Sequence, residues 1–194
     1  MTGLAFPFRA LAAASGFALA GILGFLLVPA PWAAKAPNAI FYAVLVLNTL
    51  YSVRFFEALP PQDRDERVID AILTLLYVAL AATIGLPVLF AAVSSALFVA
   101  AVGKYVLLLR VMDRRDILIR KIAIDGAGVA LCAATLIGTL WFNPLWSAWA
   151  QALIFAAANV YLLAVRPMYA DPAMAVSAFA QTKEARRAAP PSGY

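Results

Sequence analysis

VSSALFVAAVGKYVLLLRVMDRRDILIRKIAIDGAGVALCAATLIGTLWF (Val93–Phe142) holds two apolar runs joined by a charged turn, VMDRRD (Val111–Asp116). Each run is about 20 residues long, enough to cross a hydrocarbon core of about 30 Å as a helix. Lys104 lies inside the first run and Asp125 inside the second. Counted from Arg114, Lys104 is ten residues back and Asp125 eleven residues on. At a rise of about 1.5 Å per residue, an antiparallel hairpin brings the two to nearly the same depth. The spacing therefore predicts an intramembrane charged pair, Lys104 with Asp125.

The composition agrees with a membrane reading. The 194 residues are 65% hydrophobic and 13% charged, with a mean hydropathy of +0.89. Soluble domains carry about 45–50% apolar and about 25% charged residues. The net charge of +5 does not point to nucleic acid, because the basic residues cluster at helix ends and form no stripe with interleaved aromatics. There is no histidine, which removes the commonest metal ligand and most acid–base chemistry near neutral pH. The single cysteine, Cys132, sits in an apolar run and reads as a small packing residue. No phosphate loop, nucleophile elbow or zinc-type spacing occurs. No cofactor or metal is expected.

Outward from the central hairpin, four more spans follow. They run from Ala10 to Val28, from about Asn38 to Leu59, from Val68 to about Leu86 and from about Trp146 to Val165. The hairpin itself supplies Val88–Leu109 and Ile117–Phe142. The proline-rich stretch Pro29–Pro37 reads as a loop, as does the charged Pro60–Arg67. A cleaved signal peptide competes for the first span, but the run exceeds the usual signal core of about 7–15 residues, so a retained helix is expected. The expected fold is all-α: a polytopic membrane protein with a bundle of six transmembrane helices in three antiparallel hairpins. Residues 1–166 form the membrane domain. Residues 167–194 form a cytoplasmic tail with a short surface helix opened by Asp171-Pro172.

Charge sets the expected orientation. With the N-terminus inside, Arg9, Arg54, Arg64, Arg67, Arg110, Arg114, Arg115, Arg120, Lys121 and Arg166 fall on the cytoplasmic side and Lys35 on the other. Trp32, Trp141, Trp146 and Trp149 then mark the outer boundary. Both termini are expected inside, in a multi-pass protein of the cell inner membrane. Arg54, Arg110 and Arg166 recur every 56 residues, and Tyr105-x4-Arg110 echoes Tyr161-x4-Arg166. A triplicated hairpin would produce this, as would three unrelated hairpins ending in snorkelling arginines.

Other site candidates are weaker. Arg54 and Asp70 are expected to form an interfacial pair. Asn48, Asn159 and Thr135 are uncharged midplane polar groups, expected to hydrogen-bond between helices or to line a narrow path. Rows of small residues, Ala12-Gly16-Ala20-Gly24 and Gly126-Ala130-Ala134-Gly138 among them, predict close helix packing within the chain or against another subunit. The leading functional expectation is a non-catalytic helix-packing subunit or scaffold in contact with the bilayer and with a membrane-protein partner or a second copy of itself. The alternative is a small-solute or ion transporter or channel. A membrane-embedded enzyme acting on lipids ranks third.

Overall fold

A computed structural model describes residues 8–56, 64–110 and 115–165. These residues form six α-helices and no strand: α1 (Phe8–Leu27), α2 (Trp32–Phe56), α3 (Arg64–Ala82), α4 (Pro87–Leu108), α5 (Arg115–Trp141) and α6 (Pro144–Val160). A π-helical turn, Tyr161–Val165, continues α6. Five of the six helices are long and apolar enough to cross a membrane, as expected of a helical membrane bundle. The exception is α3, whose first turn is the charged Arg64-Asp65-Glu66-Arg67 and which ends at Ala82 rather than near Leu86. The middle of the VMDRRD turn and the tail beyond Val165, with its expected surface helix, lie outside the described residues.

The helices close into a ring in the order α1, α2, α6, α5, α4, α3, and α4 also reaches across to α2 and α6. The core is aromatic where α2, α4 and α6 meet. Phe41 stacks on Phe155 with ring centroids 4.3 Å apart, and Phe90 and Phe98 meet Phe41 edge-on. Leu80, Ile84, Leu97, Cys132 and Ala152 fill the space around them.

Helix ends follow the local chemistry. Asn143 caps α6, its Oδ1 accepting from the backbone N–H of Leu145 at 2.9 Å and of Trp146 at 3.1 Å, and Pro144 takes the first helical position. Asn143→Ala should cost about 1 kcal/mol, while Asn143→Asp keeps the acceptor and should cost little. Thermal unfolding of the two variants in the same detergent checks this.

The stretch Pro29–Pro37 corrects the sequence expectation. It is a loop only as far as Pro31, and α2 begins at Trp32 with Pro37 inside it. Proline in a helix forfeits one backbone bond, which membrane helices tolerate when neighbours satisfy the freed groups. Lys35 is consequently a helical residue, and its Nζ donates to the Phe25 carbonyl in the last turn of α1 at 2.9 Å. A cation there also complements the negative end of the α1 dipole.

Gly24 and Gly85 mark close approaches of backbone and turn. A Cβ on Gly24 would lie 2.1 Å from the Ala81 carbonyl oxygen, so α1 and α3 touch backbone to backbone. A Cβ on Gly85 would meet Ala30 at 2.6 Å, so the turn before α4 packs on the turn before α2. Asn38 ties the same region, donating from Nδ2 to the Ile84 carbonyl at 2.8 Å. Elsewhere the expected small-residue rows are mixed: a Cβ on Gly138 would meet Ser147 of α6 at 2.6 Å and Ala20 packs on the core, while other members face outward. Added Cβ atoms on Gly16 and Gly126 would touch nothing within 4 Å, and Ala130 and Ala134 are exposed. Only the α6 row, Ala148-Ala152-Ala156, is mostly inside, with Ala148 and Ala152 buried.

Candidate functional site

Lys104 and Asp125 do line one cavity, but they do not pair with each other. This corrects the sequence expectation. Lys104 Nζ binds the Asp70 carboxylate of α3 at 2.5 Å, with side-chain exposures of 27% and 48%. Asp125 is held by Lys121, one turn earlier on its own helix, at 2.7 Å. This second pair is almost fully buried, at 4% and 3% exposure. The expected interfacial pair of Arg54 with Asp70 is likewise replaced, since Asp70 turns to Lys104 on α4.

The physical reason is rotational. Counting residues from a turn fixes depth along the helix axis but not direction around it. Lys121 precedes Asp125 by four residues and so shares its face. Lysine ahead of the acid is the less favoured order on an isolated helix. The pair is therefore better explained by its surroundings than by local helix stabilisation. The charge pattern alone places Lys121 at the cytoplasmic surface with Arg120. Arg120 is exposed, whereas Lys121 points inward. The i, i+4 spacing to Asp125 was the signal that could have found it.

The cavity, about 100 Å³, lies between α2, α3, α4 and α5. Polar groups from all four helices reach it. Lys121 Nζ sits 5.4 Å from the centroid of the Tyr105 ring, and the Tyr105 hydroxyl meets Ser52 Oγ at 3.0 Å. Thr49 of α2 hydrogen-bonds the Tyr77 hydroxyl of α3 and also donates to the Leu45 carbonyl. Asn48 lines the wall and has no hydrogen-bond partner among the described residues. Phe98 closes one side, backed by the aromatic cluster.

A second cavity of about 300 Å³ adjoins the first between α5 and α6, and the two share Asn48, Phe98 and Asp125. Its walls are mostly apolar, with Asn159 as a further polar member.

The midplane polar residues behave differently from the expected bridges between helices. Asn159 donates to the Phe155 carbonyl and Thr135 to the Leu131 carbonyl, each within its own helix. The cross-helix bonds come from other residues. Tyr42 of α2 donates to the Phe17 carbonyl of α1 at 2.9 Å, and Gln151 of α6 donates to Cys132 Sγ of α5 at 3.2 Å. Gln151 and Asn38, both buried, were not singled out from the sequence. One lies in an alanine-rich run and the other at an expected loop edge.

Two lysines, Lys104 and Lys121, and one aspartate, Asp125, line the chamber beside neutral hydroxyls, so it can offer a donor and an acceptor to one small solute. Among the described residues, no three acidic, thiol or imidazole groups converge on a metal-sized site. No protein-family model matches this chain, and comparison with curated proteins and with solved structures returns no match.

Proposed function

We propose that this chain is a non-catalytic integral membrane protein that takes a small polar solute or ion into the chamber between α2, α3, α4 and α5. The observation that carries this reading is the Lys121–Asp125 pair, almost fully buried yet lining a cavity. Ionisable groups inside a membrane bundle are costly and commonly mark solute or proton paths. A buried pair kept only to fix helix register could be replaced by apolar residues of similar volume at little loss of stability. A chamber built around the pair is better explained by a polar occupant.

Purified protein in proteoliposomes tests this with radiolabelled glycine, methylammonium and acetate. Flux of at least one above protein-free liposomes is expected, and it should vanish in the folded double variant Lys121→Met with Asp125→Leu. No flux of any of the three would count against the reading.

The second reading is a packing subunit within a larger membrane assembly. It is favoured by the outward small-residue faces, where Gly16, Gly103 and Gly126 meet nothing within 4 Å. Small residues on an outer face permit close approach by another helix. Mild-detergent extraction from native membranes separates the two. A stable assembly with other proteins supports the subunit reading.

We further propose three antiparallel hairpins with both termini inside, in a cell inner membrane. Arg54, Arg64, Arg110 and Arg115 lie at one end of their helices, while Trp32, Trp141 and Trp146 lie at the opposite ends, exposed. Basic residues gather on the cytoplasmic side and aromatic residues at the interfaces. Single cysteines at Lys35 and Asn143 should react with an impermeant thiol reagent from outside intact cells, and one at Arg64 should not. Outside labelling at Arg64 would invert this topology.

A further inference from the structure

We propose that the cavity between α5 and α6 binds a lipid-soluble aromatic alcohol, of the phenol or quinol class, whose hydroxyl donates to Asn159. The proposal does not rest on the solute reading above: the second cavity shares Asn48, Phe98 and Asp125 with the first, but the group that recognises this ligand is Asn159.

Three observations converge on it. The first is an unmet acceptor. Asn159 is 4% exposed. Its Nδ2 donates to the Phe155 carbonyl at 2.9 Å, which fixes the orientation of the amide. That leaves Oδ1 buried with no partner among the described residues. A buried acceptor left unsatisfied is costly, so an occupant that supplies a donor gains free energy there.

The second observation is size and lining. An engineered cavity of about 150 Å³ accommodates benzene. At about 300 Å³ this one has room for two fused rings. Phe98, Phe155, Leu131 and Tyr161 are among its walls, a surface that suits a flat ring better than a charged solute. Ile154 and Ala158 also line it and are exposed, so the cavity opens sideways between the two helices, where lipid would lie. A ligand entering from lipid must be largely apolar and uncharged.

The third observation is local backbone. The cavity wall includes Tyr161 and Leu162, the first two residues of the π-helical turn. Such turns recur at functional sites because they re-aim side chains. The equivalent tyrosine of the 56-residue spacing, Tyr105, lies in regular α-helix and is buried, whereas Tyr161 is exposed. The π turn thus distinguishes this end of the bundle from its sequence counterpart.

The test uses the full chain in nanodiscs of dioleoylphosphatidylcholine, with empty nanodiscs to subtract partitioning. 2-Naphthol should bind saturably, one per chain, at least ten-fold more tightly than 2-methylnaphthalene, which has the same rings and no donor. Asn159→Leu should abolish that preference. Ala158→Phe, which fills the cavity from its exposed edge, should block both ligands while leaving the melting temperature of the empty protein unchanged. Lys104→Met, which alters the first cavity and not this one, should leave the 2-naphthol preference in place. Equal binding of the two ligands by the unaltered chain would mean that water or lipid alone satisfies Asn159, and would overturn the proposal. So would an unchanged preference in Asn159→Leu.

Discussion

Asp125→Leu should unfold the protein at a markedly lower temperature, with a loss of about 3–5 kcal/mol, because it removes the counter-ion of the almost fully buried Lys121 ammonium. Lys121→Met should do the same to the Asp125 carboxylate. The double variant should recover most of the loss, since an apolar pair of similar volume leaves no charge unpaired. Lys104→Met is a different case. Its bond to Asp70 is half-exposed, and exposed pairs contribute about 1 kcal/mol or less. A thermal cycle over Lys121 and Asp125 should therefore show strong coupling, and one over Lys104 and Asp125 much weaker coupling. The reverse order would restore the pairing that helix depth alone suggested.

Gly24→Leu should reduce folded yield severely, whereas Gly16→Leu should be tolerated by the isolated chain. The two positions belong to one sequence row, but their surroundings differ. A side chain on Gly24 would drive into the Ala81 backbone at 2.1 Å, and backbone cannot move aside as a flexible side chain can. Overpacking of this kind costs about 1–3 kcal/mol, and more where the contact is with main chain. Gly16 faces open space. Loss of a larger assembly in Gly16→Leu, with the isolated chain still stable, would show that its face meets a partner. Comparable yields of Gly24→Leu and the unaltered chain in detergent would contradict the close approach of α1 and α3.

The contrast between Gly16 and Gly24 shows what the sequence could and could not convey. Apolar length and turn chemistry located most of the helices, because these signals are local. Lys104 and Asp125 line the same cavity. Partner choice was not legible. It depends on rotation about each helix and on which helices are neighbours, and the ring places α3 beside α1 and α4. Asp70 accordingly meets Lys104 rather than Arg54. Pro37 misled for another reason. Proline is a helix breaker in water, but inside a bundle its lost bond is a modest cost against the packing that α2 gains. Asn159 was visible as a midplane amide, yet its unpaired oxygen emerges only when the neighbouring helices are in place.

The account rests on a hydrated polar chamber inside the bundle, and the reactivity of a thiol placed at Asn48 tests it most directly. Leu47, the preceding residue, is exposed on the outer face of α2 and supplies a lipid-facing control. The unaltered chain, whose single cysteine is buried, supplies the blank. Thiols react as thiolates, which need water or a nearby cation. With methanethiosulfonate ethylammonium applied to inverted membrane vesicles, Asn48→Cys should be modified readily and Leu47→Cys should not. An Asn48→Cys thiol as inert as that of Leu47→Cys, in protein that folds normally, would contradict the chamber and leave the two charged pairs as fasteners between helices.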